Sequence, residues 1–171
     1  MPRFLTLAAL VVTLSLSGCS IFGGSDDGDC GSGSANDATG SLTATVAGNS
    51  FRSVCIQGTV DSGTLSLGGN LGATEGGSQK QINLTVSGAQ AGQTYSIGGF
   101  SPIIIATYSE LDISDPTNTD NLYTAGPGSG SGSITVDAVS ASGASGSFEF
   151  TGRNNSGAMI SVTNGRFDVE F

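Results

Sequence analysis

The chain contains no histidine and no tryptophan, and only 5 of its 171 residues are Lys or Arg. Without His, a Ser-His-Asp triad, a Cys-His nucleophile pair and His-based zinc sites are excluded. Without Trp, the usual platform for stacking a sugar ring is missing. The few cations face 14 Asp and Glu, for a formal charge of −9. A chain so charged repels phosphate backbones, so no nucleic-acid partner is expected. A long hydrophobic run is also lacking. The greasy stretch Phe4 to Leu16 has thirteen residues, and a helix of that length would cover about 20 Å of a bilayer core roughly 30 Å thick. A permanent transmembrane helix is disfavoured on length alone.

That short run is nevertheless informative because of its neighbours. Met1 to Arg3 give a positive start, and the small residues Ser17 and Gly18 precede Cys19. Charge, greasy core and small residues, in that order, make a secretory signal. Leu16-Ser17-Gly18-Cys19 resembles the lipobox of Gram-negative lipoproteins. The resemblance implies cleavage before Cys19, a diacylglyceryl thioether on its sulfur and usually an amide-linked third chain. The alternative is an ordinary cleaved signal followed by an incidental Cys. Each buried methylene contributes about 0.8 kcal/mol and one chain holds a protein only marginally, so two or three chains attach it stably to a membrane. The residue after the modified Cys is Ser20 rather than Asp, which by resemblance favours the outer membrane. Ser25-Asp26-Asp27-Gly28-Asp29 looks like the Ser/Asp-rich export signal of some surface lipoproteins, with a solvated acidic linker as the alternative. Periplasmic and cell-surface orientations both stay open.

Loss of residues 1–18 would leave 153 residues, with four cations against the 14 acidic residues and a net charge of −10. That length suits one domain and a tether. Ser20 to Thr39 has almost no apolar side chains and cannot offset the entropy of ordering. Residues 19–40 are therefore read as the lipidated Cys and a flexible tether, with a typical span near 25 Å for about twenty residues. Residues 41–171 are read as one domain. With Cys19 committed to lipid, Cys30 and Cys55 could pair in an oxidising compartment. Closing a loop of about 25 residues is worth about 3 to 3.5 kcal/mol in the chain-entropy model. Two separate thiols are the alternative.

Beyond residue 40 the apolar residues recur with period two, the signature of half-buried strands. Leu42, Ala44 and Val46 precede Gly48-Asn49, and Phe51, Ser53 and Cys55 follow. A turn at Gly48-Asn49 would set Val46 opposite Phe51 and Leu42 opposite Cys55, burying the Cys. Leu65 and Leu67, then Ile82, Leu84 and Val86, then Tyr95 and Ile97, then Ile103 to Tyr108 continue the pattern between Gly, Asn, Ser and Pro clusters. Ile134, Val136 and Ala138 alternate, as do Phe148 and Phe150. Asn164-Gly165 favours a type I′ turn, which would pair Val162 with Phe167, Ile160 with Val169 and Ala158 with Phe171. The 28 glycines and frequent Ser and Thr fit a turn-rich all-β domain. The expected fold is a single antiparallel β-sandwich of about eight to ten strands, with a flattened up-and-down β-barrel as the alternative.

Gly132-Ser-Ile-Thr-Val136, Gly146-Ser-Phe-Glu-Phe150 and Val162-Thr-Asn-Gly-Arg-Phe-Asp-Val169 resemble the closing strands of a family of small Gram-negative lipoproteins of unknown function. The hairpin from Ser41 to Arg52 looks like that family's opening strands, with Phe51-Arg52 where an aromatic is often expected. These segments cover about a third of the chain. The resemblance implies an antiparallel β domain with a lipid anchor, and no activity.

The remaining candidates for chemistry are few. The glycines from Gly126 to Ser133 lack the Lys-Ser or Lys-Thr of a phosphate-binding loop. Glu75, Glu110 and Glu149 could supply the two carboxylates of a glycosidase, although Glu149 alternates with Phe148 and Phe150 and should face solvent. Asp112, Asp115 and Asp120, with Glu110, Asn118 and Asn121, form the densest oxygen-ligand cluster. They could take calcium, although their spacing departs from the twelve-residue calcium loop; a solvated acidic loop is the alternative. Tyr95, Tyr108 and Tyr123 could line a ligand patch or pack in the core. Lys80, Arg52 and Arg153 could discourage pairing at open sheet edges. No cofactor is expected. The reading is a non-enzymatic envelope lipoprotein, anchored to the membrane through Cys19, that displays its β domain to a protein or glycan partner. A small-molecule or calcium-binding lipoprotein and a carboxylate-dependent hydrolase are the alternatives.

Overall fold

The computed structural model describes residues 37–73, 78–100, 102–112, 114–115 and 117–171. Among these there is no helix. Eleven strands are formed: β1 (Asp37–Val46), β2 (Asn49–Arg52), β3 (Cys55–Asp61), β4 (Thr64–Ala73), β5 (Ser78–Ser87), β6 (Gln93–Ile97), β7 (Ile104–Asp112), β8 (Leu122–Ala125), β9 (Ser131–Ser140), β10 (Gly143–Arg153) and β11 (Met159–Glu170). They make one antiparallel sheet in the order β11-β1-β3-β4-β5-β7-β8-β10-β9-β6, with β2 beside β1. β11 also pairs with β10, so the sheet folds back on itself. The class is all-β and sandwich-like, as expected. An up-and-down order is ruled out, because β5 pairs with β7 past β6 and β8 with β10 past β9.

Two regions of the sheet face each other over one core. A Cβ on Gly69 of β4 would lie 3.3 Å from the Leu42 side chain of β1, and one on Gly58 of β3 would meet the Phe171 ring. Leu42, Phe51, Leu65, Ile82, Leu84, Tyr108, Ile134 and Phe167 are all buried in a single cluster. Fully burying such a side chain is worth about 1.5–3 kcal/mol, so this cluster is what holds the sheet folded.

Several register expectations are corrected, and three of the corrections share one cause. The first turn falls at Ala47-Gly48, with φ of +47° and +84°, so Val46 lies opposite Asn49 and Ala44 opposite Phe51. A slip of two residues keeps every side chain on its face, so Phe51 is buried as expected and the pattern could not distinguish the two turns. The observed register is fixed at Ser53, whose N–H donates to Leu42 O at 2.9 Å while its Oγ accepts from Leu42 N–H at 3.3 Å.

At Ser53-Val54 the strand falls one residue short of β1, which advances five residues from Thr43 to Ala38 while the facing strand advances four from Arg52 to Ile56. The paired numbers sum to 95 along β2 and to 94 along β3. An extra residue reverses which side chains face inward. Ile56 therefore takes the core position and Cys55 is only half-buried on the other parity, not on the buried face. The same bent strand passes from β1 to β4 and makes a corner of the sandwich.

The second extra residue lies near Asp137, where Val136 opposes Gly146 and Ala138 opposes Ser145. Val139 consequently packs on the core while Ala138 is exposed.

The third replaces the expected final hairpin. β11 runs unbroken through Asn164-Gly165 and pairs along its length with both β1 and β10. Thr43 and Thr45 of β1 match Arg166 and Thr163, so two steps on β1 meet three on β11. Asn164 adopts a left-handed φ of +53°, which Asn tolerates better than most residues. A bulge and a two-residue turn both reverse facing, so Val162, Phe167 and Val169 are inward in either case. The hydrophobic pattern was satisfied by two different topologies.

The sheet also starts earlier and holds more strands than expected. β1 is already formed at Asp37, four residues before position 41, because Asp37 and Thr39 have partners in Gln57 and Glu170. β8 follows directly on the acidic cluster that ends at Asn121, and the run Phe51 to Cys55 is divided between β2 and β3.

Candidate functional site

The outward faces of the folded sheet carry mostly uncharged polar side chains, and the two regions treat them differently. Across β4, β5 and β7 the groups satisfy one another. Gln81 Nε2 donates to Asn83 Oδ1 at 3.1 Å, and Asn83 Nδ2 donates to Thr107 Oγ1 at 3.3 Å. Gly68 leaves room for this ladder, since a Cβ there would lie 2.7 Å from Asn83 Oδ1.

Across β9, β10 and β11 the register aligns Thr135, Ser147 and Arg166 in one row and sets Ser133 beside Glu149. These residues, with Asn164 and Gly165 at the bulge, line an open groove of about 320 Å³. Thr135 shares a 2.9 Å hydroxyl contact with Thr94 of β6. Among the described residues, no side-chain hydrogen bond or ion pair engages Ser133, Ser147, Glu149, Asn164 or Arg166. The groove floor is fixed from beneath: the Phe148 ring packs so closely under Gly165 that a Cβ there would approach it to 2.5 Å. None of Ser133, Thr135, Ser147 or Asn164 was singled out as a site residue by sequence reasoning. The only available signal was the outward parity of polar positions on three strands whose adjacency the sequence does not reveal.

A second cluster closes one end of the core. Lys80 and Glu110 are a cross-strand pair on the inward parity of β5 and β7, with Nζ and Oε1 3.4 Å apart. Tyr108 O–H donates a short hydrogen bond to the same Glu110 oxygen. Burial pushes the Tyr108 phenol well above its ordinary value, and the bond to Glu110 reinforces this. A cavity of about 50 Å³ beside it is bounded by Ala47, Phe51 and Ile160 of the facing region. Lys80 lies on an internal strand between β4 and β7, so it guards no edge. Arg153 sits at the corner where β10 meets Thr124 of β8.

The other expected residues are dispersed. Asp112 Oδ1 accepts from Ser114 N–H at 2.8 Å and from Ser114 Oγ at 2.6 Å. These bonds, the side-chain one foremost, hold its carboxyl below the usual range. Asp115 accepts from Thr117 Oγ1 at 2.7 Å, while Asp120 N–H donates to Asn118 Oδ1 at 2.8 Å. The Asp112 and Asp115 carboxylates are thus occupied by the loop's own donors. Among the described residues no three of His, Cys, Asp and Glu gather closely enough to hold a metal ion. Tyr108 and Tyr123 are cross-strand neighbours with ring centroids 6.4 Å apart. Tyr95 instead ties down a loop, donating to Gly88 O at 2.9 Å and accepting from Gln90 N–H at 2.7 Å, so the three tyrosines line no common patch. Glu149 is exposed, as expected. Cys19, Cys30 and Glu75 lie outside the described residues.

No curated protein and no solved structure matches the chain. A family model described as a domain of unknown function, DUF6252, matches residues 38–169, nearly the whole of the folded sheet. The chain belongs to that family.

Proposed function

We propose that this chain is a lipid-anchored cell-envelope protein that displays its β domain to a protein or glycan partner and performs no catalysis. The observation that carries the reading is Leu16-Ser17-Gly18-Cys19, followed after seventeen residues by Asp37, where the first described strand begins. Acylation of Cys19 would hold the domain at the outer membrane, which Ser20 favours, and the intervening residues would lift it off the lipid. The Asp- and Ser-rich stretch from Ser25 to Asp29 suits either a surface-export signal or a solvated linker, so the domain would face the cell surface or the periplasm.

A Cys30–Cys55 bridge fits the same arrangement. Asp37 pairs with Gln57, so the chain enters the sheet beside Cys55. The seven residues back to Cys30 reach at most about 25 Å when extended. The bridge would shorten the free tether and anchor it to β3.

Mass spectrometry of the native protein is the test. An N-terminal Cys19 carrying diacylglycerol is expected, together with release of Cys19→Ala from the membrane fraction. An intact leader or an unmodified sulfur at Cys19 would overturn the reading.

A further inference from the structure

We infer that the groove across β9, β10 and β11 binds a short uncharged saccharide. This deepens the display reading and rests on it for the partner class. Apart from Thr135, which meets Thr94, the groove's polar side chains have no side-chain partner among the described residues, unlike those of the other outward face. Gln81, Asn83 and Thr107 bond to one another, whereas Ser133, Ser147, Glu149, Asn164 and Arg166 converge on one cavity and none is engaged by another side chain. They form a mixed set. Glu149 is a two-oxygen acceptor, Arg166 a planar fork of donors, and Asn164 and the serines both donate and accept. Vicinal hydroxyls of a sugar, each a donor and an acceptor, suit that set. A carboxylate accepts hydrogen bonds from two adjacent hydroxyls, and a guanidinium donates two parallel N–H bonds to neighbouring oxygens.

The bulge supplies the geometry. The extra residue at Asn164 breaks the flat ladder and brings Asn164 and Arg166 to the same groove, the kind of local change bulges make beside binding sites. Gly165 lets the Phe148 ring pack directly beneath the floor. The volume of about 320 Å³ lies at the small end of the usual range for ligand sites, about 300–1,000 Å³, which suits a disaccharide. Charge selects the class further. Glu149 and Arg166 cancel within the groove, while the chain as a whole carries −9, so an anionic polymer is repelled and a neutral sugar is not.

The full lipidated chain, labelled with nitrogen-15 in detergent micelles, is titrated with chitobiose, cellobiose and mannobiose at millimolar concentration. The expected result is that at least one sugar shifts the backbone amides of Thr135, Ser147, Glu149 and Arg166 while those of β5 stay fixed. Arg166→Ala and Glu149→Ala should each weaken binding tenfold or more without lowering the melting temperature, because both side chains are exposed. Arg166→Lys, which keeps the charge and loses the fork, should also weaken it. No groove shifts with any of the three sugars, or shifts produced only by a Ser/Thr-rich peptide, would overturn the inference. The mass of the Cys19 lipid is measured on the same sample. A lipidated chain with an inert groove would defeat the sugar site alone, and a bare Cys19 would defeat the anchor alone.

Discussion

The β3–β4–β5–β7 region and the β9–β10–β11–β1 region share one core and one antiparallel pattern, yet differ in regularity. β3 and β4 pair over seven and β5 and β7 over nine consecutive residues without a break, and the region's one register shift, between Asn70 and Ala73, lies at the far end of the β4–β5 pairing. In the other region each of the three pairings, β9 with β10, β10 with β11 and β11 with β1, contains a register shift. Regular pairing brings outward polar groups into repeating contact, so Gln81, Asn83 and Thr107 bond to one another. A shift breaks the repeat and leaves Glu149, Asn164 and Arg166 facing an open groove. Irregularity in a sheet is thus a way of keeping polar groups available for a ligand.

The strongest break in this comparison would come from the core that both regions share. Phe167→Ala in β11 should cost about 3–5 kcal/mol and Leu84→Ala in β5 about 2–5 kcal/mol. Both should leave a single urea transition, because both side chains belong to one cluster. Separate transitions for the two regions would show that they fold independently.

The bulge gives the next largest effect. Asn164→Val, forced to a positive φ, should lose about 1–2 kcal/mol in urea denaturation. Asn164→Gly should stay within about 0.5 kcal/mol, since glycine accepts that conformation freely. Equal losses would mean that the Asn side chain, and not the backbone shape, holds the bulge.

The regular region has a smaller, pH-dependent signature. Tyr108 is held protonated by burial and by Glu110, whereas an unfolded tyrosine ionises near pH 10. Its contribution is therefore fully present below about pH 10 and is lost as pH rises further, because the unfolded chain then releases a proton that the folded one keeps. Between pH 10 and 11 the loss should be about 1 kcal/mol, and Tyr108→Phe should flatten the curve there. An unchanged alkaline slope in the variant would place the titration elsewhere.

The alternation of Leu42, Leu65, Leu67, Ile82, Leu84, Val86, Ile134 and Phe148 was readable in the sequence and is the inward face of the sheet. Failures came where two arrangements place the same side chains inside. A turn at Ala47-Gly48 or at Gly48-Asn49 buries Phe51 equally well, and a bulge or a hairpin at Asn164-Gly165 buries Phe167 equally well. β8 was illegible because four residues, Leu122 to Ala125, are too short for a period to emerge.

The sequence by itself determined the class of the molecule: an all-β domain whose alternating residues separate a greasy face from a polar one. It did so because side-chain direction along a strand is a local property, with period two whatever the partners. Tertiary structure alone decided which strands are neighbours, where an extra residue is absorbed, and hence that Ser133, Glu149, Asn164 and Arg166 share a groove. Those choices depend on hydrogen bonds between segments far apart in the chain, and hydrophobic pattern constrains facing without constraining partner.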